Sequence, residues 1–151
     1  MALEAYGLAF GHVWLAVVNG VAESVAVWMD SAVEIPSEVH LQIAEATAAL
    51  AGSRSTASLN AEDQLSDWRP QRRHLYLATV GTSPTMQRRG LAERAITPML
   101  TTADNERITA FLETSSETNV AFYRKLGFVT VNHPVIAGGG PDVWAMLREP
   151  M

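Results

Sequence analysis

The chain has 151 residues, of which 48% are hydrophobic and 18% charged, and its net charge is −5 at pH 7. This length and composition predict a single globular domain over residues 1 to 151; no apolar run is long enough to span a membrane and the N-terminus lacks the layout of a signal peptide, so we expect a cytoplasmic protein. The absence of cysteine excludes disulfides and thiolate ligands, and the four histidines are scattered, so no metal site is expected.

Basic residues gather in the second half of the chain, whereas the first half carries mostly acids. Arg88 and Arg89 form one local group, and Arg69, Arg72 and Arg73 form another. Groups this short suit a small polyanion better than the long phosphate track of a nucleic acid, so we expect neither a nucleic acid nor a membrane as partner. We interpret Arg69, Arg72 and Arg73 as a solvated, arginine-rich surface.

The first predicted elements are a β-hairpin and a helix. Strand-like runs cover His12 to Val18 and Val21 to Met29, and Asn19-Gly20 between them accepts the positive φ angles of a two-residue turn. A helix then begins at Pro36 and Ser37 and ends at Gly52, with one apolar face formed by Val39, Ile43, Ala46 and Leu50. A short helix from Ser58 to about Trp68 is also predicted.

A loop between a strand and a helix is the best indication of function. The run His74 to Val80 alternates like a strand, and the run from Leu91 onward reads as a helix. Gly90 allows an anion to approach the main chain, and the first N–H groups of the helix carry partial positive charge. The segment Gly81 to Ala92, with Arg88 and Arg89 beside it, therefore predicts a cradle for a pyrophosphate.

The remaining pattern is a strand, a helix and two closing strands. The strand covers Ile108 to Thr114, and the helix is predicted to be capped by Ser116 and ended by Gly127. The closing strands are the runs FVTVNH and VWAMLRE. The strand, helix, strand order from His74 onward favours two parallel strands on either side of the loop helix.

Two ordered motifs carry a family resemblance. The first places Gln87, Arg88, Arg89, Gly90, Leu91 and Ala92 in a pattern of Gln or Arg, two variable residues, Gly, one variable residue, then Gly or Ala. The second is Asn119 followed by the run Phe122 to Phe128. The chain resembles the GNAT superfamily of N-acetyltransferases over about residues 11 to 150, and within it the puromycin N-acetyltransferase type.

The resemblance implies an α/β fold with a mixed, mostly antiparallel sheet, a splayed parallel strand pair and flanking helices. It implies acetyl-CoA as co-substrate, without a metal, and a primary amine of a small molecule as acceptor. The coenzyme would contact the main chain of Ala78, Thr79 and Val80, and its pyrophosphate the amides of the loop, in the segment Gln87, Arg88, Arg89, Gly90, Leu91 and Ala92. Asn119 would hydrogen-bond the coenzyme or cap the local backbone.

Catalytic roles follow from the same resemblance. Tyr123 takes the position of the general acid that protonates the departing thiolate, since a phenol with a pKa of about 10 can do so. Glu113 is the candidate base, or an electrostatic anchor for a cationic amine, and a carboxylate that only caps the next helix is an alternative.

The N-terminal region of the chain differs from the family pattern. Members of the family begin with a strand and a helical pair that form a wall of the acceptor pocket, and we expect that strand and those helices to be missing from this chain. The run His12 to Val18 would then be an exposed apolar edge, covered by a second copy of the chain or by further sequence. Alternative functions are a catalytically impaired acetyl-CoA-binding domain and a protein-interaction module that uses this edge.

Overall fold

The computed structural model describes residues 7–52, 64–133 and 141–151, built around one six-stranded sheet in the order β1-β2-β3-β4-β6-β5. The strands are β1 (His12–Val18), β2 (Val21–Asp30), β3 (His74–Thr82), β4 (Thr109–Thr114), β5 (Val129–Asn132) and β6 (Trp144–Arg148). Strands β3 and β4 run parallel, and the other neighbouring pairs are antiparallel. The predicted mixed α/β sheet with one parallel pair is confirmed.

Helices and a 3-10 turn accompany the sheet in the described part of the chain. They are α1 (Leu8–Phe10), α2 (Ser37–Ala51), α3 (Leu91–Glu106), α4 (Glu117–Lys125) and the 3-10 turn Pro84–Met86. Within the described ranges, no helix is long and apolar enough to cross a membrane. Of the short helix predicted from Ser58 to Trp68, residues 64–66 are helical and residues 58–63 lie outside the described part.

The β1–β2 hairpin forms as predicted, because its turn residues have φ angles of 51° at Asn19 and 81° at Gly20. Strand β1 lies at the edge of the sheet, and its side chains Leu15 and Val17 are about half exposed. The predicted helix over Ser37–Ala51 is confirmed, and its half-buried positions include Val39, Ile43 and Ala46. The side chain of Leu50 lies outside the described part.

Helix α3 covers one face of the sheet and supplies much of the core. It packs against β1, β2 and β3 through its buried residues Leu91, Ala95, Ile96, Met99, Leu100 and Ala103. Leu75 and Leu77 of β3 lie in the same cluster, so alternation along the strand directs Tyr76 to the opposite face. Burial of each large aliphatic side chain contributes roughly 1.5–3 kcal/mol, which fixes the start of α3 against β3.

Helix α4 follows β4 and ends where the sequence predicts. Gly127 has a φ of 91°, and its N–H donates to the carbonyl of Arg124. The predicted cap at the other end is only partly right. Ser116 occupies the N-cap position and its carbonyl accepts the N–H groups of Asn119 and Val120, but its side chain makes no capping hydrogen bond.

Candidate active site

The parallel strands β3 and β4 separate partway along their length. Their pairing ends at Tyr76 opposite Phe111, although β3 continues to Thr82 and β4 to Thr114. In the pairing of β2 with β3 the register shifts, so that Ala78 is an extra residue on β3. Beyond Tyr76, no described strand pairs with β3 on the side of β4, and its main-chain groups there border a fork-shaped opening.

The loop after β3 brings the start of α3 to this opening. Gly90 is the N-cap of α3 with a φ of 75°, and a Cβ added there would meet no atom within 4 Å. The N–H groups from Arg89 to Ala92 make no hydrogen bond within the described part of the chain. Helix N-termini with such free donors are general anion sites, because the donors and the helix dipole both favour negative charge.

One cleft of about 630 Å³ joins the loop, α3 and α4. Its lining comprises Val80, Thr82, Gln87, Arg88, Gly90, Leu91, Ala92, Glu93, Thr118, Asn119, Phe122, Tyr123 and Lys125. The cleft thus runs from the open edge of β3 to the anion site, with Arg88 and Lys125 as its cationic side chains.

Tyr123 is the titratable phenol in this cleft. The residue is 9% exposed, its ring packs on Phe122 at 5.1 Å and on Phe128 at 5.9 Å between centroids, and burial raises its pKa. The hydroxyl makes no hydrogen bond within the residues that the structure describes. The phenol is protonated at neutral pH with or without this shift, so it can donate a proton to a base formed in the cleft, and the raised pKa makes it a weaker acid than an exposed phenol.

Asn119 also lines the cleft and has a local partner. Its Nδ2 donates to Oγ1 of Thr114 at 3.3 Å, across the turn between β4 and α4. The residue itself is exposed, so its amide oxygen remains accessible from the cleft. In the described part of the chain this amide bonds a side-chain hydroxyl rather than the main chain that it was predicted to cap, and its contact with the coenzyme stays a prediction.

Glu113 lies outside the cleft lining. Arg69 donates to its two carboxylate oxygens through Nε at 3.2 Å and a terminal nitrogen at 3.3 Å, and the hydroxyl of Tyr76 donates at 3.0 Å. The Arg69 guanidinium also lies over the Tyr76 ring, 5.0 Å from its centroid. Glu113 therefore has both oxygens engaged, which is a poor arrangement for a group that must accept a proton.

The interpretation of Arg69, Arg72 and Arg73 as a solvated surface is right for Arg72 and Arg73, whose side chains are 59% and 52% exposed, but all three are also paired with carboxylates. Arg69 pairs with Glu113, Arg72 with Glu149, and Arg73 with Asp30 at 2.6 Å. The hydrogen bonds from Arg73 lower the pKa of Asp30. Sequence reasoning missed these pairs because they join residues 44, 77 and 43 positions apart, and no local pattern marks them.

Most of the predicted site residues meet in the cleft, and four do not line it. Ala78 and Thr79 lie just before Val80 on the open part of β3, Arg89 lies in the loop, and Glu113 lies in its ion pair. The cleft also contains Lys125, which the sequence motifs did not single out as a site residue. Among the described residues, no group of three or more His, Cys, Asp or Glu side chains is placed to hold a metal ion.

Comparison with known proteins gives one family match. A family model described as an acetyltransferase (GNAT) domain matches residues 26–146.

Solved structures share the fold at low sequence identity. The histone acetyltransferase HPA2 and related acetyltransferase from Corynebacterium glutamicum is 18% identical with a TM-score of 0.66, over 99% of this chain and 70% of that one. The ribosomal-protein-S18-alanine N-acetyltransferase from Escherichia coli is 16% identical with a TM-score of 0.59, over 98% and 74%. The Drosophila melanogaster polyamine N acetyltransferase is 15% identical with a TM-score of 0.61, over 89% and 73%.

Proposed function

We propose a reaction for this chain, which belongs to the GNAT family of acetyltransferases: it transfers the acetyl group of acetyl-CoA to the primary amine of a small molecule by direct attack. The observation that carries the proposal is the continuous cleft from the open edge of β3, past Tyr123, to the free amides at the start of α3. We also propose that the protein is cytoplasmic and that residues 1 to 151 act as a single domain.

The chain's own groups fit acetyl-CoA. The free N–H groups from Arg89 to Ala92 and the charge of Arg88 suit its pyrophosphate, since phosphates bind at helix N-termini. The open edge of β3 from Ala78 to Val80 offers main-chain groups to the amides of the pantetheine arm. When bound, acetyl-CoA supplies an acyl carbon activated as a thioester.

Tyr123 is the proposed proton donor. In direct transfer the amine nitrogen forms a bond to the acyl carbon, the carbon–sulfur bond breaks, the thiolate takes a proton from the phenol, and the phenolate regains a proton from solvent. A main-chain N–H at the open edge of β3 near Val80 can stabilise the charge that develops on the acyl oxygen, by roughly 3 kcal/mol in other acyl-transfer enzymes. Asn119 is proposed to contact the coenzyme through its amide oxygen.

Removal of the proton from the amine is assigned to water. Glu113 was the candidate base, but Arg69 and Tyr76 already engage its carboxylate, and it does not line the cleft. A water chain in the fork between β3 and β4 can carry the proton to solvent. Glu113 is then proposed to lie near the acceptor without taking its proton, and its carboxylate is paired with Arg69.

Tyr123→Phe tests the proposal. Coenzyme A release is followed with a thiol reagent over a panel of amines that includes agmatine, spermidine, puromycin and a short peptide, and the chain itself gives no signal because it has no cysteine. We expect kcat to fall about 100-fold or more, as loss of a general acid does, while acetyl-CoA still raises the melting temperature. An unchanged kcat would remove Tyr123 as the acid.

The same panel tests the finer points of the proposal. Puromycin is included because the resemblance to that enzyme type stays a prediction. Turnover of no amine, combined with stabilisation by acetyl-CoA, would favour the catalytically impaired coenzyme-binding domain. If acetyl-CoA does not raise the melting temperature, both the active acetyltransferase and the impaired coenzyme-binding domain are excluded, because a ligand that binds the native state must stabilise the fold.

The exposed edge supports a second candidate, association through β1. The hairpin exposes Leu15 (52%), Val17 (48%) and Val21 (56%) beside the outer edge of the sheet. Apolar edges of this kind pair readily with another strand, here from a second copy or another protein. Sedimentation and amide exchange test this: a monomer whose β1 amides exchange without protection excludes a homodimer through this edge.

A further inference from the structure

Lys125 is the only lysine of the chain, and it lies on the wall of the cleft that α4 forms. The residue is exposed and makes no ion pair or hydrogen bond within the described part of the chain. Arginines such as Arg73 and Arg148, in contrast, are paired with carboxylates. The ammonium group of Lys125 is therefore available to a ligand in the cleft.

The residues of α4 that line the cleft form two rows on the helix. One row contains Asn119 and Tyr123, and Tyr123 is buried. The other contains Thr118, Phe122 and Lys125, at the spacing of four and three residues that keeps side chains on one helix face. Thr118 and Lys125 are exposed and Phe122 is half-buried. The second row therefore forms the outer rim of the cleft, on the solvent side of Tyr123.

The proposed position of acetyl-CoA brings its nucleoside end to this rim. The pyrophosphate lies in the middle of the coenzyme and is assigned to the amides at the start of α3. The pantetheine arm extends from there inward along β3, to the thioester near Tyr123. The nucleoside must then leave the pyrophosphate on the solvent side of the cleft. It carries a second phosphate, on the 3′-hydroxyl of its ribose, with roughly 1.5–2 negative charges at pH 7.

The charges of the cleft favour the α4 side for this second phosphate. Arg88 belongs to the loop beside the amides that suit the pyrophosphate, whereas Lys125 stands on the facing helix. Glu93 also lines the cleft, on α3, and its carboxylate repels a phosphate placed on that wall. Among the described lining residues, Lys125 is thus the cation left for the 3′-phosphate.

We propose that Lys125 binds the 3′-phosphate of the coenzyme and thereby selects acetyl-CoA over acetyl-dephospho-CoA, which lacks that group. The inference rests on the proposed acetyl transfer and names a specificity-determining residue of the same site. An ammonium group on a flexible stem suits a phosphate at a solvent-exposed rim, because it pairs as a point charge without a fixed geometry. The contact is remote from the acyl carbon, so it contributes equally to the ground and transition states.

The test compares CoA with dephospho-CoA, which differ by the 3′-phosphate alone. Their Kd values for the full chain are measured by calorimetry, and the kinetic constants of their acetyl derivatives by coenzyme release. In Lys125→Gln we expect the preference for CoA to fall about fivefold, the size of one exposed charge contact, while the affinity for dephospho-CoA stays unchanged. In turnover the change should appear in KM rather than in kcat.

Two further variants separate this contact from a general effect of charge. Arg124 precedes Lys125 in the last turn of α4 but does not line the described cleft. Arg124→Gln removes the same charge from the same helix end, so the preference for CoA should stay at the wild-type value. Lys125→Arg keeps the charge at the rim and should retain most of the preference.

An unchanged preference for CoA in Lys125→Gln would overturn the proposal, and so would the same change in Arg124→Gln. An equal loss of affinity for CoA and dephospho-CoA would also overturn it, because Lys125 would then serve the pyrophosphate. Failure of the acetyltransferase proposal looks different, since neither acetylated form would raise the melting temperature of the wild type. If Lys125→Gln proves poorly folded, the wild type decides: a preference that shrinks as salt screens the contact supports the proposal, and one independent of salt overturns it.

Discussion

Substitution of Gly90 by aspartate tests the anion site at the start of α3. The Cβ of the new residue would meet no atom within 4 Å, so the side chain fits without displacing a neighbour. Its carboxylate would lie beside the free N–H groups of Leu91 and Ala92 and compete with a pyrophosphate for them. Relative to an alanine at the same position, the aspartate should stabilise the protein without ligand, because an acidic group at a helix N-terminus contributes about 0.3–1 kcal/mol.

The change in acetyl-CoA affinity and in stability depends on the backbone strain at Gly90 and on the repulsion between the new carboxylate and the phosphate. Any side chain at Gly90 must adopt a φ of 75°, which costs about 1 kcal/mol in stability. Gly90→Ala carries that cost without a charge, and Gly20→Ala carries it in the distant hairpin turn, where φ is 81°. A carboxylate about 6 Å from a phosphate repels it by roughly 3 kcal/mol at an effective dielectric constant of 20, and salt reduces this to roughly 1.5 kcal/mol.

We therefore expect Gly90→Asp to bind acetyl-CoA about tenfold more weakly than Gly90→Ala, while its melting temperature without ligand is at least as high. Calorimetric titration gives the affinity and thermal unfolding gives the stability. At saturating acetyl-CoA, kcat should match that of Gly90→Ala, because the change affects ground and transition states equally. Equal affinities of the two variants would refute the placement of the pyrophosphate at these amides.

Two further predictions concern the buried Arg148. Gly127→Ala should lower the free energy of unfolding, measured in urea, by about 2–3 kcal/mol, because the new Cβ would lie 3.1 Å from Nε of Arg148 and the residue has a positive φ. Gly20→Ala has only the positive φ and should cost about 1 kcal/mol. Equal losses in the two variants would contradict this prediction. Asp104→Asn should cost about 2–3 kcal/mol at pH 7, because Arg148 is 3% exposed and loses its countercharge. Hydrogen bonds from Arg148 lower the pKa of Asp104 below 3.8, so this contribution is complete above about pH 4 and is lost as the pH falls through the lowered pKa. A wild-type stability that falls no faster in acid than that of the variant would contradict this.

Local chemistry made the backbone predictable from the sequence. Asn19-Gly20 fixes the hairpin, and Gly90 with the apolar period of α3 fixes the loop and the helix after it. These signals depend on a few consecutive residues, so no knowledge of the fold is needed to read them. The separation of β3 and β4 is different, because nothing in the run His74 to Val80 shows where pairing stops. It was expected only from the family resemblance.

Side-chain pairing between distant elements was not predictable. Arg69 and Glu113 share no period or motif in the sequence, and their meeting depends on the tertiary fold that brings the segment before β3 to β4. The role first expected for Glu113 was therefore assigned without its partner. The absent capping bond of Ser116 has the same origin, since a suitable residue type at an N-cap does not fix the rotamer that makes the bond.

We expect that β3 must be held firmly before it leaves β4, since its main-chain groups beyond Tyr76 have no strand partner on that side among the described residues. Ion pairs made by the residues just before β3 hold the strand in place. Arg69 is tied to β4 through Glu113, and Arg73 is tied to the end of β2 through Asp30. Because the two pairs hold neighbouring residues to strands on opposite sides of β3, they fix its position where the strands part.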